Sequence, residues 1–276
     1  MTMHSLVERN CRDLSFIDDD AVHLIVTQPP AFGSLRAAHA FGRFAISDYA
    51  DYLAALEGVW SQCERVLAPG GHLAFVASPV ALSSEDLPLA SDIVPQVKQL
   101  GFELRRSIRW NPAERVEPDA SGFYGAPNQP CSDPPGDSQD VFVMRKPGER
   151  SVPVEVQIAS RMQADFFAAC SASVWLIPTG IDPQSPQRFP EELAERLVRM
   201  FSFAGDTVLD PFAGLGAASA AAMSCGRNSI AVETEAHFFE SMTDRVARAE
   251  RGLGEITVTK GPPSARSDTD HLSSLV

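Results

Sequence analysis

No CxxC pair occurs in the chain, whose five cysteines (Cys11, Cys63, Cys131, Cys170 and Cys225) are odd in number and widely scattered. That distribution argues against a disulfide framework and a cysteine-based zinc site, and marks most of the thiols as small buried apolar groups; no metal is expected. No run approaches the roughly 18 consecutive apolar residues a membrane span needs. The amino terminus MTMHSLVERN lacks the basic and apolar regions of a signal peptide, so a cytoplasmic location away from membranes is expected. Basic residues are scarce too: 23 Lys and Arg face 36 Asp and Glu, a formal net charge of −13. A nucleic-acid partner would therefore depend on local clusters of positive charge. The densest are Arg105, Arg106, Arg109 and Arg115 in ELRRSIRWNPAER, and Arg145, Lys146 and Arg150 in VMRKPGER. Solvated strand ends and turns are the competing reading of both.

What is present is enough apolar material, 44% of 276 residues, for one large α/β domain or two small ones. Strand-like runs at Val22 to Thr27, His72 to Ala77 and Leu104 to Trp110 each end at a turn or proline. Between the first two, Tyr49, Leu53, Leu56, Val59, Trp60, Cys63 and Leu67 recur at helical spacing, with Ser47 and Asp48 as capping candidates and Pro69-Gly70-Gly71 as a stop. Such alternation predicts a mostly parallel, doubly wound sheet. From about 112 to 140 the chain is rich in Pro, Gly, Ser and Asp without periodicity, the place for a recognition loop; a strand from Val141 to Arg145 follows. The second half restarts with a helix opened by Pro190 that carries Leu193, Leu197, Met200 and Phe201 on one face. One domain over 1–255 is expected, with 256–276, and above all the stretch from Gly261, as a disordered tail.

Two constellations carry chemistry. In GDTVLDPFAGLGAASAAAMSCGRNSIAVETE, a strand from Thr207 to Leu209 leads into a turn over Asp210 to Gly216, a helix of small residues to Ser224, and a strand from Ser229 to Val232 ending at Glu233. Gly214 and Gly216 let the backbone turn tightly and approach a ligand, and an acid ending the next strand suits ribose hydroxyls. The layout fits a nucleoside cofactor and does not by itself separate a dinucleotide from S-adenosylmethionine. The second constellation is VHLIVTQPPAFG. Pro29 and Pro30 fix the backbone and remove two amide donors at the carboxyl edge of a strand, where doubly wound sheets bind ligands. Rigid carbonyls there, beside the amide of Gln28, suit an amine that must be held for attack on a methyl donor.

In the order TQPPAF before LDPFAGLG, these segments resemble the amino-group DNA methyltransferases, specifically the permuted cytosine-N4 branch. Matching segments include VWSQCERVLAPGGHLAFV, GFYGAPNQP, VFVMRKPGERSVP and FPEELAERLVRMFSFAGDTVLDPFAG, so that the resemblance covers about Met3 to Arg248. It implies a Rossmann-like fold, S-adenosyl-L-methionine as methyl donor, and double-stranded DNA whose target base is flipped into the site. It also implies a place in restriction-modification and the possibility of a homodimer. Gln28, Pro29, Pro30 and Phe32 would then hold the base. Asp210, Phe212, Gly214, Gly216 and Glu233, with Thr27 and Pro178, would hold the cofactor, and Trp175 would open the segment set against it.

Gln28 stands where the family has Ser, Asn or Asp, and Ala31 where it has an aromatic ring. Gln28 keeps an amide oxygen on a longer arm, and Phe32 is the ring available to replace the lost one. GLGAAS likewise replaces GTGTTS, and Ser185 and Arg188 depart from the family's HPAPFP. Two functional readings follow: a working DNA methyltransferase with an altered tetrad, and a methyltransferase-like module that binds nucleic acid, cofactor or protein without transfer. Two further features read as structural: Asp133-Pro134-Pro135 follows no strand, and His23 lies within an apolar strand. Cys131 follows a proline but lacks partners that would activate its thiol.

Overall fold

The computed structural model describes residues 1–32, 48–77, 80–82, 85–87, 89–112, 138–179, 189–250 and 254–260. Strand β1 (Thr2–Glu8) precedes the apolar β2 (Val22–Thr27), whose six residues are those expected from their pattern. Helix α1 (Tyr49–Val66) starts where the Asp48 side chain accepts from the Ala50 amide. Its buried stripe is Tyr52, Leu56, Val59, Trp60, Cys63 and Val66, so Tyr52 faces the core while Tyr49 and Leu53 pack at its margin. The stop at Pro69 is also the entry to β3 (Leu67–Ala77), which begins five residues before His72.

A short hairpin, β4 (Val80–Leu82) with β5 (Glu85–Leu87), leads to α2 (Leu89–Gln99), β6 (Glu103–Asn111) and β7 (Gln139–Arg145). Two short helices follow, α3 (Val154–Ala159) and α4 (Ala164–Ser171), then β8 (Val174–Leu176) and α5 (Glu191–Phe201). The chain returns through β9 (Thr207–Asp210), α6 (Ala217–Ser224), β10 (Asn228–Glu233) and α7 (Ala236–Glu250) to β11 (Gly254–Lys260). β11 pairs with β1 over Thr2 to Glu8, so the ordered sheet runs past the boundary expected at 255. The exposed, alternating GEITVTK carries little apolar signal, which is why the pattern alone puts the end too early.

The nine-stranded sheet has the order β11-β1-β10-β9-β2-β3-β7-β6-β8. Among the described strands of this sheet only β7 runs against the rest, antiparallel to both β3 and β6. The fold is the mostly parallel, Rossmann-like architecture expected. Its two faces are packed separately: Ile25, Leu73 and Phe75 meet α1 and α2 on one side, while Leu24, Val26, Ala74 and Val76 meet α5 and α6 on the other. Helix α6 is built almost wholly of Ala and Ser, and every residue from Ala217 to Met223 is buried, which lets its backbone lie close to the sheet.

Sheet order explains the site. β2 lies beside β9 although their chains are 183 residues apart at Thr27 and Asp210, so the Pro-Pro strand end and the Gly-rich turn open on one sheet edge. Because β7 runs backwards, its first residue, Gln139, reaches that same edge.

Candidate active site

β9 ends at Asp210, whose Oδ1 accepts from Thr27 Oγ1 (2.7 Å) and from the Phe212 amide (3.0 Å). Both side chains are buried, Thr27 at 1% exposure and Asp210 at 7%. Thr27 therefore acts on the turn through Asp210. Beyond it, Gly214 (φ 53°) and Gly216 (φ 76°) occupy the left-handed region, where a side chain is disfavoured. A Cβ on Gly216 would lie 2.7 Å from Met242 Cγ, so conformation and packing both demand glycine.

Glu233 closes this turn from the neighbouring strand. Its Oε2 accepts from the Gly214 amide at 2.7 Å, and its Oε1 accepts from the Thr234 and Glu235 amides at 2.9 and 3.0 Å. Three backbone donors thus fix a carboxylate that is only 5% exposed. The Arg9 amide donates to the Glu233 carbonyl and Thr234 Oγ1 to the Arg9 carbonyl, which brings the segment after β1 to the rim. Cys11 lies in that segment. Burial pushes its thiol up to about 12, with Arg12 opposing and Glu233 adding to the rise. Burial likewise raises Cys63, Cys170 and Cys225, so these four thiols are inert packing groups.

Pro29 and Pro30 are buried, and the Pro30 carbonyl accepts from Tyr52 Oη at 2.9 Å. This hydroxyl hook from α1 anchors the Pro-Pro strand end. Phe32 packs edge-on to Tyr49 (centroids 5.3 Å, 71°) and tilted against Tyr52 (5.5 Å, 59°), making an aromatic group beside Ala31. Gln28 Nε2 donates to Gln139 Oε1 at 3.1 Å. Neither Tyr52 nor Gln139 is among the residues the sequence points to at the site. Tyr52 was legible, since it lies four residues before Leu56 and seven before Val59, whereas nothing local marks a lone Gln at a strand start.

Pro178 is exposed, two residues beyond β8, the outermost strand of the sheet, whose carboxyl end opens on the same edge as that of β2. Trp175, on β8 itself, is buried against α5 with the Arg196 guanidinium 5.4 Å above its ring. The described members of the basic clusters have partners within the chain: Arg105 pairs with Glu103, Arg109 with Asp140, Lys146 with Asp20 and Glu64, and Arg150 with Asp206. Arg106 caps the carbonyls of Cys170, Ser171 and Ala172. Arg145, Lys146 and Arg150 lie at and beyond the end of β7, at the sheet edge opposite the site. His23 Nδ1 accepts from the Thr207 amide, a structural role. Gly33, the loop over 113–137 with Arg115, Cys131 and Asp133-Pro134-Pro135, and also Ser185 and Arg188, lie outside the described residues. Among the described residues no three His, Cys, Asp or Glu are grouped to hold a metal, and no helix is long and apolar enough to cross a membrane.

A DNA methylase family model for N6 and N4 methyltransferases matches residues 22–244. The type II methyltransferase M.MthZI of Methanothermobacter thermautotrophicus is 25% identical over 94% of this chain and 81% of its own length. M.MjaI of Methanocaldococcus jannaschii is 26% identical over 92% of this chain and 94% of its own. Among solved structures, a putative DNA modification methylase from Thermus thermophilus superposes with a TM-score of 0.76 at 33% identity, covering 94% of this chain and 99% of that one. Its complex with S-adenosyl-L-methionine gives 0.75 at 31%, with the same coverage. The cytosine-N4-specific PvuII DNA methyltransferase shares the fold at a TM-score of 0.63 and 14% identity, over 94% of this chain and 95% of its own. The match spans the Pro-Pro strand, the Gly-rich turn and Glu233 in one stretch, and the chain belongs to the N6/N4 DNA methylase family.

Proposed function

We propose that this protein transfers a methyl group from S-adenosyl-L-methionine to the exocyclic N4 amine of a cytosine in double-stranded DNA, as the modification half of a restriction-modification pair. The observation that carries the reading is the Thr27–Asp210 hydrogen bond, which locks the Pro-Pro strand end against the Gly-rich turn. An amine held at the first and a methyl donor held at the second would be neighbours.

The turn suits a nucleoside sulfonium: two left-handed glycines keep its backbone bare, and a carboxylate fixed by three amides stands at the next strand end to accept from ribose hydroxyls. When bound, the cofactor supplies an electrophilic methyl group. The chain's own residues orient the nucleophile. Tyr52 anchors the Pro30 carbonyl, and the Pro29 carbonyl, next in the chain to Gln28, is the backbone acceptor assigned to the base amine beside the Gln28 amide. Two acceptors on one amine turn its lone pair out of conjugation and toward the methyl carbon, and the hydrogen bonds donated by the amine strengthen as positive charge develops on its nitrogen. Phe32, backed by Tyr49 and Tyr52, supplies the face on which an extrahelical base stacks.

The test is titration calorimetry with S-adenosyl-L-methionine, followed on the same preparation by transfer of labelled methyl groups to enzymatically amplified, unmodified DNA and chromatography of the digested nucleosides. N4-methylcytosine is expected. N6-methyladenine would replace the target base, and binding without transfer would make the chain a non-catalytic binding module. No binding would remove the cofactor assignment.

A further inference from the structure

The amide at Gln28 does not stand alone. Gln139 opens β7, whose reversed direction brings its first residue to the edge where β2 ends, and β3 lies between the two strands. The two side chains therefore meet over the end of β3, with Gln28 Nε2 donating to Gln139 Oε1 at 3.1 Å. Gln139 is 7% exposed, so its oxygen sits where an unmade hydrogen bond is costly.

We propose that Gln139 is a positioning residue for the target base: by accepting from Gln28 it fixes the plane of the Gln28 amide and presents the Gln28 Oε1 edge to the base amine. A primary amide is rigid and planar, so holding one Nε2 hydrogen sets the direction of the oxygen and of the second hydrogen. That pair, an acceptor beside a donor, matches an exocyclic amine next to a ring nitrogen, which is the N4/N3 edge of cytosine and equally the N6/N1 edge of adenine. Uracil and hypoxanthine present the opposite order. A glutamine arm has one more rotatable bond than Asn or Asp, and that freedom would spoil a site that needs placement within about half an ångström. The brace from Gln139 removes it. The longer arm and its partner act together, and the departure of Gln28 from its family's usual residues is matched by a second amide 111 positions away.

The kinetic consequence rests on the methyltransferase reading; the geometry does not. Gln139→Leu, with Gln139→Met as a closer isostere should the first unfold, is expected to lower kcat for methyl transfer by about tenfold to a hundredfold, the usual effect of ångström-scale misplacement, with KM for S-adenosyl-L-methionine unchanged. Gln139→Glu, which at pH 8 can only accept, should restore most of the rate. Gln28→Ala combined with Gln139→Leu should be no slower than Gln28→Ala alone, because the proposed role of Gln139 in transfer runs through Gln28. Additive losses, or failure of Gln139→Glu to rescue, would overturn the proposal. A second readout needs no turnover: the side-chain amide protons of Gln28, assigned in nitrogen-15 spectra by their loss in Gln28→Ala. Slowed solvent exchange should vanish in the Leu or Met variant and persist in Gln139→Glu. Unchanged Gln28 signals in the Leu or Met variant would refute the brace, whereas a wild-type protein that shows the brace but transfers no methyl group would refute only the methyltransferase reading.

Discussion

Thr27 Oγ1 donates to Asp210 Oδ1 across 2.7 Å, between the last residue of β2 and the last residue of β9. Both strands are internal to the sheet, and their ends are held together by this buried bond as well as by the short ladder pairing Leu24 with Val208 and Ile25 with Leu209. Replacing Thr27 with Val keeps the shape and deletes the donor. Hydrogen bonds to charged groups contribute about 1.5 to 3 kcal/mol, so a loss of stability near the low end is expected, since Phe212 still donates to Asp210. Affinity for S-adenosyl-L-methionine should fall about tenfold as the turn loosens. Calorimetry that found unaltered affinity would show that the bond serves only the fold.

Glu233 offers a sharper test of the turn. Its carboxylate accepts three amide protons, divided between the Gly214 side and the Thr234–Glu235 side. Gln has the same shape but turns one accepting oxygen into a donor, so at least one backbone N–H must face another N–H. A cost of about 2 kcal/mol or more is expected. Hydrogen exchange at Gly214 should accelerate, and cofactor binding should fall below detection by calorimetry. Retention of both would mean that Glu233 neither shapes the turn nor meets the ligand.

Legibility in the sequence followed apolar continuity. β2 and the β9-turn-α6-β10 unit could be read almost residue by residue, because short runs dominated by Val, Ile, Leu and Ala are bounded by Pro, Gly or an acid. β1 escapes such a reading since buried His4 and exposed Met3 break the pattern of TMHSLVE, and α2 since Pro95 sits inside it. At the site, Gln28, the prolines and Glu233 lie on recognisable strand ends. The contacts of Gln139 with Gln28 and of the Tyr52 hydroxyl with the Pro30 carbonyl cross the fold, and sheet order and helix packing, which set who meets whom, leave no local trace even where the residue itself sits on a readable face.

Two glycines separate backbone strain from packing. Gly216 (φ +76°) and Gly226 (φ +72°) are both left-handed, but a Cβ on Gly216 would meet Met242 Cγ at 2.7 Å and Val246 Cγ2 at 3.3 Å, while one on Gly226 meets nothing within 4 Å. Gly226→Ala should cost about 1 to 2 kcal/mol, the left-handed penalty alone, and leave cofactor affinity intact. Gly216→Ala adds overpacking and should cost about 2 to 4 kcal/mol while weakening cofactor binding. Urea denaturation of the pair, with calorimetry on each, measures the difference; equal losses would mean that α7 yields freely.

Acid should weaken the fold through one buried and one half-buried imidazole. Burial holds both His4 and His72 down to about 4, and for His72 the nearby Arg145, Arg105 and Arg150 add to the effect. The unfolded chain protonates these rings near pH 6.5, the folded chain only near 4, so between those values the unfolded state binds more protons. Stability from this source is complete above pH 6.5 and drains away as pH falls toward 4. For His4, whose ring meets Ser229 Oγ and Thr2 Oγ1 at 2.8 Å each, the loss should reach about 3 kcal/mol at most. His4→Gln retains a polar, uncharged group and should flatten its share of the decline. Urea midpoints for the wild type and this variant at about pH 7.5 and about pH 4.5 provide the check: the gap between the proteins should shrink or reverse at the lower pH. A constant gap would mean that His4 does not resist protonation in the folded chain.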